Sequence, residues 1–331
     1  MNPSIPPDVP SKRIAELIET IRESADKLVG DQASRGDLKI LSRTLRELRY
    51  AFKVFSPYRH SRKVTLFGSA RTPPAEPAYR QAEAFGHAMA AKGWFVITGA
   101  ASGIMEAGHA GAGREHAMGL NILLPFEQAV NPIIAGDRKL VYMKYFFTRK
   151  LMFVKESDAF CLMPGGFGTL DEGLEVLTLL QTGKHDMMPV VLLDGPGGDY
   201  WTAFDAFVRE RLLARGMIGP EDLSLYRLTD RVEDAVDEIL RFYRVYHSMR
   251  FVRSKLVFRL QESPNAAFLE EINDRFGDIL TEGQFTLTGP LSEERDEADL
   301  IALPRLVFHF DRRSFGRLRQ LIDAINAGVT S

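Results

Sequence analysis

The stretch Pro164-Gly165-Gly166-Phe167-Gly168-Thr169-Leu170-Asp171-Glu172 decides the fold of this chain. An apolar run at 159–163 precedes it, and leucines follow it at helical spacing, at positions 170, 174, 177 and 180. This pattern predicts a strand, a glycine-rich turn and a helix. Glycines let a ligand approach the backbone closely, and the start of a helix supplies unpaired N–H groups and a positive dipole end. We therefore expect an anion site here, with phosphate as its usual ligand.

Glu172 lies in the first turn of the predicted helix, beside the anion site. A carboxylate is not needed to hold phosphate, so its position suggests chemistry on the molecule that carries the phosphate. A second interpretation stays open, because Thr169 and Glu172 have the spacing of a capping box, in which both side chains bind backbone N–H groups. No Gly-Lys-Ser/Thr sequence follows the glycines, which excludes a nucleoside-triphosphate loop.

Short apolar segments alternate with helical segments along the central part of the chain. Strands are predicted at 64–67, 94–97, 120–124, 140–142, 159–163 and 190–193, and helices at 78–91, 104–115, 147–155, 201–215 and 232–246. This alternation predicts an α/β fold, a Rossmann-like doubly wound parallel sheet with helices on both faces. Ligands bind beyond the carboxyl ends of such strands, so the turns at Gly68, Gly99 and Gly165 should lie on one rim.

The chain divides into three expected parts. Residues 1–57 form an N-terminal extension of two amphipathic helices, which could pack on the main domain or on a partner subunit. Residues 58–248 form the Rossmann-like domain. Residues 249–331 form a small C-terminal α+β unit of β-α-β-β-α order, with strands at 255–260, 285–288 and 306–310 and helices at 265–280 and 315–325.

Composition narrows the classes of partner and compartment. A net charge of −2 over 331 residues gives no pull towards nucleic acid or an anionic membrane surface. The single cysteine, Cys161, excludes an intrachain disulfide, suits a cytoplasmic protein and is expected in the core. The first ten residues lack the pattern of a signal peptide, and no apolar run is long enough for a transmembrane helix.

Three stretches together closely resemble the LOG family, named after the plant Lonely Guy enzyme, whose members are often misannotated as lysine decarboxylases. They are Thr98-Gly99-Ala100-Ala101-Ser102-Gly103-Ile104-Met105-Glu106-Ala107, then Phe146-Phe147-Thr148-Arg149-Lys150, and then 164–172, which matches Pro-Gly-Gly-x-Gly-Thr-x-x-Glu in full. The resemblance covers about residues 60–245 and leaves the N-terminal helices and the C-terminal unit outside.

The resemblance implies a phosphoribohydrolase that cleaves the N-glycosidic bond of nucleoside 5′-monophosphates, AMP or a cytokinin riboside monophosphate, giving free base and ribose 5-phosphate. It implies no cofactor and no metal, and a homo-oligomer, a dimer or larger. The catalytic residues would be Glu172 and Arg149. The phosphate and nucleotide would be bound by Gly165, Gly166, Gly168 and Thr169, together with Ser69, Gly99, Gly103, Glu106 and Lys150.

Such a cleavage builds positive charge on the sugar, which a carboxylate stabilises while it orients or deprotonates the attacking water. We expect the helix N-terminus to keep Glu172 ionised for this role. Arg149 stays protonated and offers a fork of donors. Without the resemblance, Arg149 is more simply a surface arginine on an amphipathic helix, and Glu106 a solvated helix charge.

One departure from the family pattern supports an alternative, a catalytically weak nucleotide-binding regulatory protein. Ala100 and Ala101 stand where the family has glycines, and their methyl groups could narrow the pocket. Aromatic residues near the motifs, Trp94, Phe146 and Phe147, are expected in the core, and Phe167 is the best candidate for base stacking. The dispersed Glu106, His109 and His116 predict no metal site.

Overall fold

A computed structural model gives the structure of the protein and describes residues 12–123, 129–294 and 298–328. The chain divides into two compact units, Met1–Tyr50 and Ala51–Ser331. The two predicted N-terminal helices are confirmed as α1 (Lys12–Gly30) and α2 (Arg35–Phe55). Before α2, the Ser34 hydroxyl accepts from the Asp37 N–H at 3.2 Å and the Asp37 carboxylate accepts from the Ser34 N–H at 3.0 Å, which fixes the start of the helix.

The centre of the second unit is a parallel sheet of seven strands within the described residues. The strands are β1 (Lys63–Phe67), β2 (Phe95–Thr98), β3 (Ala117–Ile122), β4 (Leu140–Met143), β5 (Ala159–Leu162), β6 (Val190–Leu193) and β7 (Arg227–Thr229). The helices that flank them are α3 (Pro77–Ala91), α4 (Ile104–His116), α5 (Phe146–Glu156), α6 (Phe167–Gln181), α7 (Tyr200–Phe207, continued by a π-helical turn) and α8 (Val232–Phe242). The predicted α/β fold is confirmed, although β7, with one leucine between polar residues, gave no sequence signal.

The strand order is β4-β3-β2-β1-β5-β6-β7, so the chain winds outward from β1 in one direction and from β5 in the other. The neighbouring strands β1 and β5 therefore mark the point at which the winding reverses. Loops that leave adjacent strands in opposite directions open a crevice at the carboxyl ends, which is where ligands bind on such sheets. The turns that follow β1 and β5 contain Gly68 and Gly165.

Helices cover both faces of the sheet because side chains alternate along each strand. On one face, Leu66 and Cys161 pack with α3, α4 and α8. On the other, Phe67 meets Phe153 of α5 edge-on, with ring centroids 4.7 Å apart. Cys161 is the buried core residue that the sequence predicted, and burial raises the pKa of its thiol. The two predicted catalytic residues lie on α5, which follows β4, and on α6, which follows β5.

The C-terminal sheet has four antiparallel strands in the order β10-β11-β9-β8. Its elements are β8 (Tyr246–Val252), β9 (Lys255–Leu260), α9 (Ala266–Phe276), β10 (Leu280–Thr288), β11 (Arg305–Phe310) and α10 (Phe315–Gly328). The expected β-α-β-β-α order was wrong in lacking β8, which is an edge strand whose polar His247, Ser248 and Arg250 break the alternation. The proposed boundary after residue 248 falls within this strand.

The C-terminal helix α10 contacts the end of the central helix α6. Gly183, just after α6, has φ +64°, and a Cβ there would lie 1.9 Å from the Phe315 ring at the start of α10. Farther along α10, Arg319 pairs with Glu238 of α8. The small unit is therefore joined to the Rossmann-like sheet through tightly packed side chains.

Replacing Gly183 with alanine should lower the free energy of unfolding by roughly 2–4 kcal/mol, since it adds left-handed strain and a clash with Phe315. Gly216 offers a matched control, because its φ is +67° but a Cβ there would meet nothing within 4 Å. Gly216→Ala should therefore cost only about 1 kcal/mol. Urea unfolding measures the loss of unfolding free energy in both variants. Equal losses would show that the Phe315 ring moves aside at little energetic cost.

None of the helices described here is both long and apolar enough to cross a lipid bilayer.

Candidate active site

A cleft of about 640 Å³ opens at the carboxyl ends of β1, β2, β3 and β5. Such a volume is in the range of pockets that hold small ligands. Its lining comes from the turns after β1, β2 and β5, from the end of β3, from the starts of α4 and α5 and from the first two turns of α6. The residues are Phe67, Gly68, Ser69, Ala70, Arg71, Gly99, Ala101, Met105, Asn121, Ile122, Phe146, Arg149, Gly166, Phe167, Gly168, Thr169 and Glu172. The three strand-end turns thus meet on one rim, as the sequence predicted.

The glycine turn after β5 leads directly into α6. Gly166 is the N-cap of the helix, with no side-chain cap bond, and its carbonyl accepts from the N–H groups of Thr169 at 3.0 Å and Leu170 at 3.2 Å. The capping-box interpretation is therefore wrong, because Thr169 lies inside the helix rather than at its cap. The open N-terminus of α6 faces the cleft, and its dipole favours an anion there.

Glu172, which is buried, and Arg149, which is partly buried, form a pair in the lining of the cleft. One guanidinium nitrogen of Arg149, Nη2, lies 3.6 Å from Oε1 of Glu172. Burial raises the pKa of Glu172 to about 7, although the charges of Arg149 and Lys150 pull it down. Glu172 lies in the second turn of α6 rather than in its first, and its burial raises the pKa, so the expectation that the helix N-terminus keeps it ionised was wrong. A pKa near neutrality suits a group that exchanges protons at that pH.

Arg149 retains capacity to bind a ligand. Burial lowers the pKa of its guanidinium, and Glu172 partly restores it. Its Nε atom is buried and has no hydrogen-bond partner in the described part of the chain. The guanidinium carbon lies 5.0 Å from the ring centre of Phe146 and 5.5 Å from that of Phe153. The interpretation of Arg149 as a surface arginine on an amphipathic helix is wrong, since an ionic partner and two aromatic rings enclose it.

Seven of the predicted site residues line the cleft, and four do not. Those in the lining are Ser69, Gly99, Arg149, Gly166, Gly168, Thr169 and Glu172. Gly165 and Gly103 lie just behind it, where a Cβ would meet Thr169 Oγ1 at 2.2 Å and the Ser69 carbonyl oxygen at 2.3 Å, respectively. Lys150 binds Asp171 at 2.9 Å and Glu175 at 2.6 Å. Glu106, in the first turn of α4, lies near Tyr79 of α3 rather than in the lining.

An apolar wall of the cleft was missed by sequence reasoning. It contains Met105, Ile122 and Phe146. Phe146 and Phe147 are 51% and 52% exposed, so the expectation that they lie in the core was wrong, whereas Trp94 is buried as expected. Phe167, 93% exposed, stands at the tip of the glycine turn and lines the cleft. Phe146 and Phe167 are each the first residue of a helix that follows a strand, and this position is the signal that could have identified them.

Buried polar side chains hold the second turn, which follows β2. The Asn131 amide donates to the Ala101 carbonyl at 3.1 Å and lies 3.2 Å from Nδ1 of His109, whose Nε2 is 2.9 Å from the Met118 carbonyl oxygen. Burial lowers the pKa of His109 to about 4, so the ring is neutral and structural. Ala100 has φ +60° and is fully buried outside the lining, so only the Ala101 methyl group faces the cleft.

Comparison with known proteins gives consistent similarities. A family model described as "possible lysine decarboxylase" matches residues 98–239. The chain is 30% identical over 159 residues to the cytokinin riboside 5′-monophosphate phosphoribohydrolase of Mycobacterium marinum, spanning 47% of this chain and 81% of that protein. It is 38% identical over 108 residues to the probable cytokinin riboside 5′-monophosphate phosphoribohydrolase LOG6 of Arabidopsis thaliana, spanning 33% of this chain and 51% of that protein.

The match to the plant relative covers about half of that protein's length. Among solved structures, the molybdenum cofactor carrier protein of Chlamydomonas reinhardtii aligns with a TM-score of 0.39 and 19% identity, over 55% of this chain and 97% of that one.

Proposed function

The chain belongs to the LOG family of phosphoribohydrolases, and on this premise we propose that it hydrolyses the N-glycosidic bond of nucleoside 5′-monophosphates to free base and ribose 5-phosphate. The observation that carries the proposal is the pairing of Arg149 with the buried Glu172, in the same cleft as the glycine turn. The two features together suit a substrate in which an anion and a reacting centre are a few bonds apart.

The 5′-phosphate binds at the N-terminus of α6 in this proposal. Gly166 and Gly168 line the cleft, and a Cβ at either position would meet nothing within 4 Å, so both positions leave room for phosphate oxygens. The first N–H groups of a helix and its dipole stabilise a bound dianion. Thr169 is buried at the same helix start, where its hydroxyl can add a donor.

Glu172 is the group assigned to the reacting centre. As the C1′–N bond breaks, its electron pair moves to the base and positive charge develops on the ribose. The Glu172 carboxylate stabilises this charge and takes a proton from the water whose oxygen bonds to C1′. Its pKa of about 7 places it near the optimum for a general base at neutral pH. The departing base leaves as the neutral molecule once it has accepted a proton.

Arg149 has two roles in this arrangement. Its positive charge lowers the pKa of Glu172 and so increases the ionised fraction of the carboxylate. Its guanidinium lines the cleft, where its donors can bind a ribose or phosphate oxygen of the substrate. The base then lies against the apolar wall of Met105, Ile122 and Phe146, a surface that suits adenine or a cytokinin base.

The proposal includes self-association as a homo-oligomer, a dimer or larger. Two aromatic side chains of the cleft lining, Phe146 and Phe167, are largely exposed. Large apolar groups exposed together are typical of surfaces that bind another protein.

Two other functions are less well supported. Among the described residues of the lining there is no lysine, the residue that a pyridoxal-phosphate decarboxylase needs for its Schiff base. A catalytically weak nucleotide-binding regulator would keep the phosphate site, and the Ala101 methyl group and the C-terminal unit favour it. The intact Arg149–Glu172 pair favours the enzyme, and turnover distinguishes the two.

Release of base from purified protein tests the proposal. We expect AMP or another nucleoside monophosphate to give its free base and ribose 5-phosphate in equal amounts, as measured by chromatography. The matching nucleoside, which lacks the phosphate, should be a much poorer substrate. Tight binding of a monophosphate without release of any base would contradict the proposal and favour the regulator.

A further inference from the structure

Tyr200 contacts the glycine turn from outside the cleft. It is the first residue of α7, and its hydroxyl donates to the Gly165 carbonyl oxygen at 2.7 Å. Tyr200 is not part of the cleft lining, and the chemistry described above does not use it. Burial raises the pKa of its hydroxyl, which therefore remains a protonated donor.

Carbonyl oxygens of the turn are held by donors from three places. The Pro164 carbonyl accepts from the Ser69 N–H at 3.0 Å, and the Gly165 carbonyl accepts from Tyr200. The Gly166 carbonyl accepts from N–H groups of α6 itself. Within a planar trans peptide, the N–H of one residue points opposite to the carbonyl of the residue before it. If the Gly165 carbonyl is held away from the cleft, the Gly166 N–H therefore points towards the cleft.

The start of α7 is itself fixed, so Tyr200 has a defined position. The buried carboxylate of Asp194, just after β6, accepts from the Gly195 N–H at 3.0 Å and from the Trp201 N–H at 2.9 Å. The Trp201 ring meets the Tyr200 ring edge-on, with centroids 4.8 Å apart. The sheet thus positions Tyr200 through Asp194, and Tyr200 positions the turn.

We propose that Tyr200 is a positioning residue for the anion site, whose hydrogen bond to Gly165 holds the Gly166 N–H towards the 5′-phosphate. This inference rests on the proposed function for the identity of the anion. Glycines lose more conformational freedom on ordering than other residues, so a turn containing Gly165, Gly166 and Gly168 gains from an external constraint. Without that constraint, part of the binding free energy of the phosphate is spent on ordering the turn.

Tyr200→Phe tests the inference, since it removes the hydroxyl and keeps the ring against Trp201. We expect the KM for AMP to rise about five- to tenfold with kcat nearly unchanged, the effect of losing one hydrogen bond that orders the ground state. The dissociation constant of ribose 5-phosphate, measured by calorimetry, should rise by the same factor. Asp194→Asn, which weakens the hold on α7, should shift both quantities in the same direction by less.

Tyr226→Phe is the matched control, because the Tyr226 hydroxyl donates to Asp205 at 2.6 Å outside the cleft. It should change the melting temperature but neither the KM nor the binding of ribose 5-phosphate. If Tyr200→Phe resembles this control, or lowers kcat without raising KM, Tyr200 is only structural and the inference fails.

The measurement of ribose 5-phosphate binding distinguishes a failure of the inference about Tyr200 from a failure of the proposed function. If the wild-type protein binds ribose 5-phosphate but cleaves no monophosphate, the proposed function fails while weaker binding by Tyr200→Phe still supports the inference. If the wild-type protein neither cleaves monophosphates nor binds ribose 5-phosphate, the turn is not an anion site and the inference fails with it.

Discussion

Replacing Glu172 with glutamine is expected to slow base release from nucleoside monophosphates by about a hundredfold or more, with little change in KM. Glutamine has nearly the same shape, but it neither accepts the proton of the attacking water nor carries the charge that stabilises the oxocarbenium-like state. The lost interaction belongs to the transition state, so it should appear in kcat. Initial rates of adenine release from AMP measure it.

Glu210→Gln is the control, since Glu210 pairs with Arg211 at 3.8 Å outside the cleft lining. Its rate should stay within about twofold of the wild type, because a partly exposed ion pair contributes little. Wild-type activity in Glu172→Gln, in a protein that still melts cooperatively, would remove Glu172 from the mechanism.

The pH dependence provides a second readout of Glu172. Its pKa is about 7 and the ionised form is the active one in the proposed mechanism, so kcat/KM should rise with pH below that value and level off above it. The phosphate of AMP also titrates with a pKa of about 6, so the substrate contributes to the same limb. In Glu172→Gln, the part of the rise of kcat/KM with pH that is due to the enzyme should disappear. A rate that falls as pH rises through about 7 would instead assign Glu172 as an acid.

The sequence was sufficient to indicate the candidate site because the order of strands in a parallel sheet determines which turns meet. Strand, turn and helix around Gly165 and the turn at Gly99 could be identified locally, and parallel strands bring their carboxyl ends together. The pairing of Arg149 with Glu172 followed from the family resemblance, since nothing in their spacing of 23 positions predicts contact. That contact exists because α5 and α6 lie on the same face of the sheet.

The environment of each side chain could not be predicted from local pattern. The ionisation of Glu172 depends on how completely α5 and its neighbours exclude water, which is a tertiary property. Helix α6 likewise buries Thr169, Glu172, Gly173, Val176 and Leu180, whereas Leu174, expected on its apolar face, is 48% exposed. The polar side of α6 faces inward at the site, and the hydrophobic periodicity is therefore misleading where function requires buried polar groups.

Ala100 is a further case in which context outweighs local preference. A left-handed backbone is unfavourable for alanine by about 1–2 kcal/mol, and glycine would normally occupy the position. Here hydrogen bonds on both sides hold the conformation, because the Ala100 N–H donates to Thr98 Oγ1 at 2.9 Å and its carbonyl accepts from the Asn131 N–H at 2.9 Å. The methyl group packs with Ala117, Ile134 and Leu140. The turn therefore keeps its shape without the family's glycine.

Replacing Arg149 with methionine is expected to lower kcat/KM for AMP by about a hundredfold, similar to the loss of one preorganised donor at a reacting centre. The variant keeps much of the apolar contact with Phe146 and Phe153 but loses the charge beside Glu172. Without that charge, the pKa of Glu172 should rise above its present value of about 7, and the rising limb of the pH profile should move upward with it. Initial rates between about pH 5 and pH 9 measure both effects.

Arg149→Lys separates charge from geometry in the same experiment. Lysine keeps the positive charge, so the limb should stay near its wild-type position, but it lacks the planar fork and the Nε–H, so kcat/KM should still fall about tenfold. Arg209→Met, which breaks an ion pair with Asp205 outside the cleft lining, should leave both the rate and the limb unchanged. The two effects of Arg149 have separate origins, because its donors act on the ligand whereas its charge acts on the Glu172 carboxyl group. If kcat/KM falls a hundredfold in Arg149→Met while the pH profile does not move upward, Arg149 binds substrate but does not lower the pKa of Glu172.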